Sequence, residues 1–119
     1  MNELKILLSK GLNVNTTDQY GHSLLWLACY RNNCSIIQYL LSFPTIDVNQ
    51  RDIHGQTPLY ISVFTDNLQC AKILFESGIP QDTKSKSSSM DPSLVEMARR
   101  NNNQDLISLI QKYDSDGIL

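Results

Sequence analysis

Several resources that other proteins rely on are scarce in this chain. Cysteine occurs three times, at Cys29, Cys34 and Cys70. An odd number at irregular spacing, with no Cys-x-x-Cys pair and no Cys/His cluster, makes a poor disulfide framework and a poor structural zinc site. Reduced, packed thiols are the expectation. The five glycines are scattered singly, so no phosphate-cradling loop is present. No apolar run approaches the ~18 residues of a membrane span. The start, Met1-Asn2-Glu3-Leu4-Lys5, lacks the basic stretch and cleavage site of a secretory signal, which points to a cytoplasmic protein without a membrane role. There is no excess of positive charge either. Ten basic against twelve acidic residues give a net charge of −2, the wrong sign for a general nucleic-acid binder. Alanine is rare, with three copies in 119 residues.

What the chain does have is a globular composition, 41% apolar and 18% charged. Its length suits one domain that buries roughly two thirds of its extended surface. It also has an internal repeat. Asp18-Gln19-Tyr20-Gly21-His22-Ser23-Leu24-Leu25-Trp26-Leu27-Ala28 aligns with Asp52-Ile53-His54-Gly55-Gln56-Thr57-Pro58-Leu59-Tyr60-Ile61-Ser62 at an offset of 34. Ile36-Ile37-Gln38-Tyr39-Leu40-Leu41 aligns with Cys70-Ala71-Lys72-Ile73-Leu74-Phe75 at the same offset. A third copy, Ser93-Leu94-Val95-Glu96-Met97-Ala98 and then Leu106-Ile107-Ser108-Leu109-Ile110, follows at an offset of 36. The chain opens on a half copy, whose end Asn13-Val14-Asn15 matches Asp47-Val48-Asn49. The organisation expected is a half repeat over 1–15, repeats over 16–49 and 50–81, and a degenerate closing repeat over 82–119.

Each unit has a physical reading. Gly21 and Gly55 sit among polar residues where a tight turn needs positive φ. Thr57 is placed to cap a helix that starts at Pro58, with Ser23 and Ser93 as the equivalent caps and Glu96 completing a capping box. Leu25, Leu27 and Ala28, like Leu59, Ile61 and Ser62, then point to the core. The helix is expected to stop at Asn32-Asn33, Asp66-Asn67 and Asn102-Asn103, because Asn and Asp tolerate the left-handed conformation. A second helix follows with apolar pairs Ile36/Leu40 and Ile37/Leu41, then Cys70/Leu74 and Ala71/Phe75.

These residues resemble the ankyrin repeat. Thr57-Pro58-Leu59-Tyr60 is close to that family's Thr-Pro-Leu-His, Asp52-x-x-Gly55 precedes it, and Leu7-Leu8-Ser9-Lys10-Gly11-Leu12-Asn13-Val14-Asn15 nearly matches the element after the second helix. The resemblance spans residues 3 to about 111 and implies an all-α solenoid of about three and a half helix-turn-helix units with hairpin fingers. Trp26, Tyr60 and Glu96 depart from the tetrapeptide His. Asn32, Asp66 and Asn102 depart from the usual glycine, and Lys84-Ser85-Lys86-Ser87-Ser88-Ser89 replaces the third turn with a longer, mobile finger. These departures predict a divergent solenoid of moderate stability. At the front, Leu4, Ile6 and Leu7 lack a preceding neighbour, which favours excision from a longer protein over a single-helix cap.

No catalytic arrangement is legible. His22 follows its turn glycine and His54 precedes its own, so both read as exposed finger residues rather than a metal or acid-base pair. Cys34 has no activating partner. No enzyme activity, metal or cofactor is expected of the chain. The Lys84/Lys86 and Arg99/Arg100 pairs read first as solvated surface and second as a patch for an acidic partner. The resemblance implies contacts through the concave surface of fingers and first-helix ends. Those positions are Thr17, Gln19, Tyr20, His22, Tyr30 and Arg31, then Arg51, Ile53, His54, Gln56, Phe64 and Thr65, then Arg100 and Asn101. Trp26 and Tyr60 are expected to be half-buried. The function implied is recognition of a folded protein by a chain that is monomeric on its own. The Asn, Ile, Ser and Lys bias, with few Ala, suggests an AT-rich genome, and together with the expected excision the chain bears some resemblance to the C-terminal ankyrin module of an OspC-type secreted bacterial effector. That family implies an upstream enzymatic domain and a host inflammatory caspase as partner. A eukaryotic cytoplasmic or nuclear adaptor or inhibitor is the alternative.

Overall fold

The computed structural model describes residues 2–83 and 91–113. The Lys84–Ser89 finger lies outside them, as does the polar tail beyond Tyr113. Among the described residues there are seven helices: α1 (Asn2–Ser9), α2 (Leu24–Tyr30), α3 (Cys34–Leu41), α4 (Pro58–Phe64), α5 (Leu68–Glu76), α6 (Leu94–Arg100) and α7 (Gln104–Tyr113). No described helix is long and apolar enough to cross a membrane.

The helices begin where hydroxyl caps demand it. Ser23, Thr57 and Ser93 are extended, and their side-chain oxygens accept the N–H of Trp26, Tyr60 and Glu96 at 3.1, 3.1 and 3.2 Å. They end alike. Asn32, Asp66 and Asn102 take φ of 52°, 60° and 55°, and the next residues, Asn33, Asn67 and Asn103, donate their N–H back to Ala28, Ser62 and Ala98. Asn33 and Asn103 then cap the second helices through Oδ1, at 3.2 Å to Ile36 N and 3.0 Å to Leu106 N. Asn67 does something else: its Nδ2 donates to Cys29 O in the preceding unit at 2.9 Å. Left-handed Asn still costs more than glycine there. Asn32→Gly and Asn102→Gly are therefore expected to stabilise the fold by about 0.5 kcal/mol each, read as a raised Tm. A lowered Tm in both variants would contradict this account of the turn.

The pairs stack in register. One layer holds α2, α4 and α6, and the other holds α3, α5 and α7. The result is elongated, 43 × 25 × 25 Å. Leu25, Cys29, Ile37, Leu40, Leu59, Val63, Cys70, Ala71, Leu74, Leu106 and Ile110 form the seam between layers and lose essentially all solvent contact. In α3 the buried pair is Ile37 and Leu40, while Ile36 and Leu41 are half-buried, so the seam runs at i, i+3 rather than at i, i+4. Trp26 and Tyr60, expected at half burial, are buried, and the rings of His22 and Tyr30 lie against Trp26. At the front, Leu8 is buried and Leu4 packs on the core, but Ile6 and Leu7 stay half exposed.

The extended stretches are clamped by asparagine. Asn15 donates Nδ2–H to Thr45 O and accepts Asp47 N–H, both at 2.8 Å. One unit on, Asn49 donates to Pro80 O at 3.0 Å and accepts Asp82 N–H at 2.8 Å. One side chain thus satisfies two backbone groups of its neighbour.

Candidate protein-interaction surface

The fingers are built on aspartate. Asp18 Oδ1 accepts the N–H of Tyr20 and His22, and Asp52 Oδ1 accepts those of His54 and Gln56, all at 2.9 Å. Gly21 (φ 77°) and Gly55 (φ 78°) complete the turns. The fingers touch: Ile53 N–H donates to Tyr20 O at 3.0 Å. At Gly21 a Cβ would stand 3.0 Å from Asp52 Cα and Ile53 N, so glycine is needed for space as well as for φ.

His22 is not an exposed finger residue. Its ring lies stacked on Trp26, centroids 3.8 Å apart at 15°. Nδ1 is 3.2 Å from Asp18 Oδ2 and Nε2 is 3.5 Å from Asp52 Oδ2, whose carboxylate side chain is 1% exposed. The imidazole thus lies between two carboxylates of successive fingers, and only the imidazolium form has an N–H for each. Rings continue on both sides, Tyr20 at 5.8 Å from His22 and Tyr30 at 5.6 Å from Trp26. Desolvation pushes the Asp18 carboxyl up, but the N–H groups of His22 and Tyr20 and the His22 ring outweigh it and hold it below its ordinary value. A lowered carboxyl stabilises the fold above the ordinary carboxylate range, and that contribution is lost as pH falls through the lower folded value.

Of the other expected contacts, Tyr20 (50% exposed), Tyr30 (52%), Ile53 (63%) and Phe64 (61%) form two rows: Tyr20 and Ile53 on the fingers, Tyr30 and Phe64 at the ends of α2 and α4. His54 and Arg31 are exposed beside them. Gln56 and Thr65 are partly covered, and the Thr65 hydroxyl donates to Ile61 O at 2.7 Å. Arg51 is tied down by Asp82, Nη2 to Oδ2 at 2.8 Å, so it braces two fingers and is less free to anchor a partner than its residue type implied. The role of Asp52 as the shared hub of both fingers escaped the sequence, in which it reads only as a turn residue.

No group of three or more metal-ligating side chains comes together among the described residues. Cys29 and Cys70 are buried thiols, and burial, with Cys70 adding to it, pushes the Cys29 thiol well up, away from the thiolate a nucleophile requires. His22 and His54 face different surroundings and form no acid-base pair.

Comparison with known proteins agrees. A family model described as ankyrin repeats (3 copies) matches residues 2–86. The ankyrin repeat protein L271 of Acanthamoeba polyphaga mimivirus is 40% identical over 81 residues, covering 68% of this chain and 11% of that protein. The NF-kappa-B p100 subunit of Xenopus laevis is 32% identical over 76 residues, 60% of this chain and 8% of its own length. The ADP-ribosylation factor GTPase-activating protein AGD4 of Arabidopsis thaliana is 41% identical over 58 residues, 49% of this chain and 7% of its own. The chain thus spans about a tenth of the length of the relatives it matches. The helices α6 and α7 lie beyond the matched residues but continue the same stack. By the repeat in its sequence, the stacked helix pairs and the family match, the chain belongs to the ankyrin repeat family.

Proposed function

We propose that the concave face of fingers and inner-helix ends docks a folded protein partner, with Tyr20, Tyr30, Ile53 and Phe64 as its apolar centre and His54 at its edge. The observation that carries this is the exposure of those four large side chains together, on adjacent fingers and adjacent helix ends. Ankyrin repeats are protein-interaction modules, typically without catalysis of their own. Exposed apolar groups clustered on a soluble fold mark such a surface. A partner docked on the described fingers and helix ends would bury ~1,200–1,600 Å² in total, the size of a specific complex.

The double variant Tyr30→Ala, Phe64→Ala is expected to weaken binding of a partner recovered by the wild-type domain more than tenfold, because aromatic anchors dominate interface energy. Its far-UV circular dichroism and Tm should stay near wild type, since both rings are already half in water. Full affinity in a folded double variant removes the assignment.

A eukaryotic cytoplasmic or nuclear adaptor or inhibitor is the alternative reading; the repeats are shared with proteins of Xenopus laevis and Arabidopsis thaliana. The extension to an effector module that recognises an inflammatory caspase rests on the resemblance alone. Titration of the purified domain against purified caspase catalytic domains tests it, and absence of binding removes it.

A further inference from the structure

Resting on the concave face as the docking surface, we infer the chemistry of the partner: a segment with two apolar anchors flanked at both ends by carboxylates, held along the row Arg31, Tyr30, Phe64, Arg100. Tyr30, Phe64 and Arg100 are the last residues of α2, α4 and α6, which stack side by side. At about 10 Å per helix, they form a line with two rings in the middle. Arg31, the C-cap of α2, follows Tyr30 directly and lies on the side of α2 toward α1, and Arg99 precedes Arg100 in the last turn of α6.

The distribution of cations supports this. The chain has four arginines, and Arg51 is spent on Asp82. The other three all stand at ends of inner-layer helices, exposed, and no salt bridge joins them to a described residue. The described lysines are elsewhere: Lys5 in α1, Lys10 just after it, Lys72 in α5 and Lys112 in α7. Arginine's planar fork holds a carboxylate by two parallel bonds, which lysine cannot do, so the two cation types are sorted by the job each performs best. The carboxylates nearest in sequence do not neutralise the row. Asp66 Oδ1 is engaged by Asn103 Nδ2 at 2.8 Å, and Glu96 lies one turn back on α6 without closing an ion pair to Arg99 or Arg100. An apolar centre with charge at its rim is the layout in which the centre supplies affinity and the rim selects the partner and speeds encounter. Arginine at a helix end also complements the helix dipole. That role alone would appear in Tm and not in binding.

The test is selection of a phage-displayed random peptide library on the folded domain. The expected binders carry an apolar pair flanked by Asp or Glu. Their affinity falls severalfold between about 50 and 300 mM salt. It falls more than tenfold on Arg31→Glu, Arg100→Glu, and returns when the peptide's acidic residues are exchanged for Lys or Arg. Binders that are lost on Tyr30→Ala, Phe64→Ala but ignore salt and charge reversal overturn the carboxylate assignment and leave the docking face standing. Charge reversal that lowers Tm while binding stays intact also overturns it. Binders that ignore both double variants, or a selection that returns none, overturn the docking face as well.

Discussion

Leu59→Ala should lower the stability of this domain by about 3 kcal/mol, the middle of the range for truncating a buried leucine. Leu59 is fully enclosed in α4, the helix that packs on α2, α5 and α6. In a stack of repeats each unit is held only by its neighbours, so a cavity in the central inner helix weakens the contacts to both sides at once. The expected fall in Tm is roughly 10–15 °C for a chain of this size. Urea unfolding should be followed by circular dichroism and by the fluorescence of Trp26, the single tryptophan. A loss below about 1 kcal/mol would mean that α4 is not the keystone described. Leu8, in α1 at the front of the stack and slightly exposed, is a control expected to cost less on the same truncation.

The second large effect is expected at Asp52. Its carboxylate accepts two backbone N–H groups of its own finger and faces His22 Nε2 of the preceding one, almost wholly buried. Asp52→Ala leaves these donors without an acceptor in a site that water hardly reaches, at a cost of about 2–4 kcal/mol. Asp52→Asn keeps an acceptor for the finger N–H groups and removes only the charge opposite the imidazole. The difference between the two variants therefore separates turn-making from the His22 contact. A double-mutant cycle with His22→Gln measures the coupling directly. Trp26 emission should shift in both Asp52 variants, because the imidazole that Asp52 faces is stacked on the indole. If Asp52→Ala is as stable as wild type, the fingers are held by something else.

Much of this architecture was legible from local chemistry. Caps at Ser23, Thr57 and Ser93, turn glycines at 21 and 55, and left-handed Asn32, Asp66 and Asn102 each depend on residues within four positions, and each took the conformation its side chain favours. The exposed row of Tyr20, Tyr30, Ile53 and Phe64 followed from repeat register. Less legible were groups whose fate depends on a residue one repeat away. His22 turned inward because Asp52, thirty positions on, presents a buried carboxylate to it. Arg51 was drawn off by Asp82, and Trp26 and Tyr60 sank deeper than their amphipathic side chains suggested.

The sequence by itself determined that the chain is a helical solenoid and where its helices start and stop. Those features are set by backbone preference and by a periodic pattern that any window of the chain displays. Tertiary structure decided which finger residues are exposed and which are held. His22 and His54 flank their turn glycines on opposite sides, and neither position says in sequence which ring is covered. Stacking of one finger on the next makes His22 an internal brace against the buried Asp52 carboxylate, while His54 is exposed.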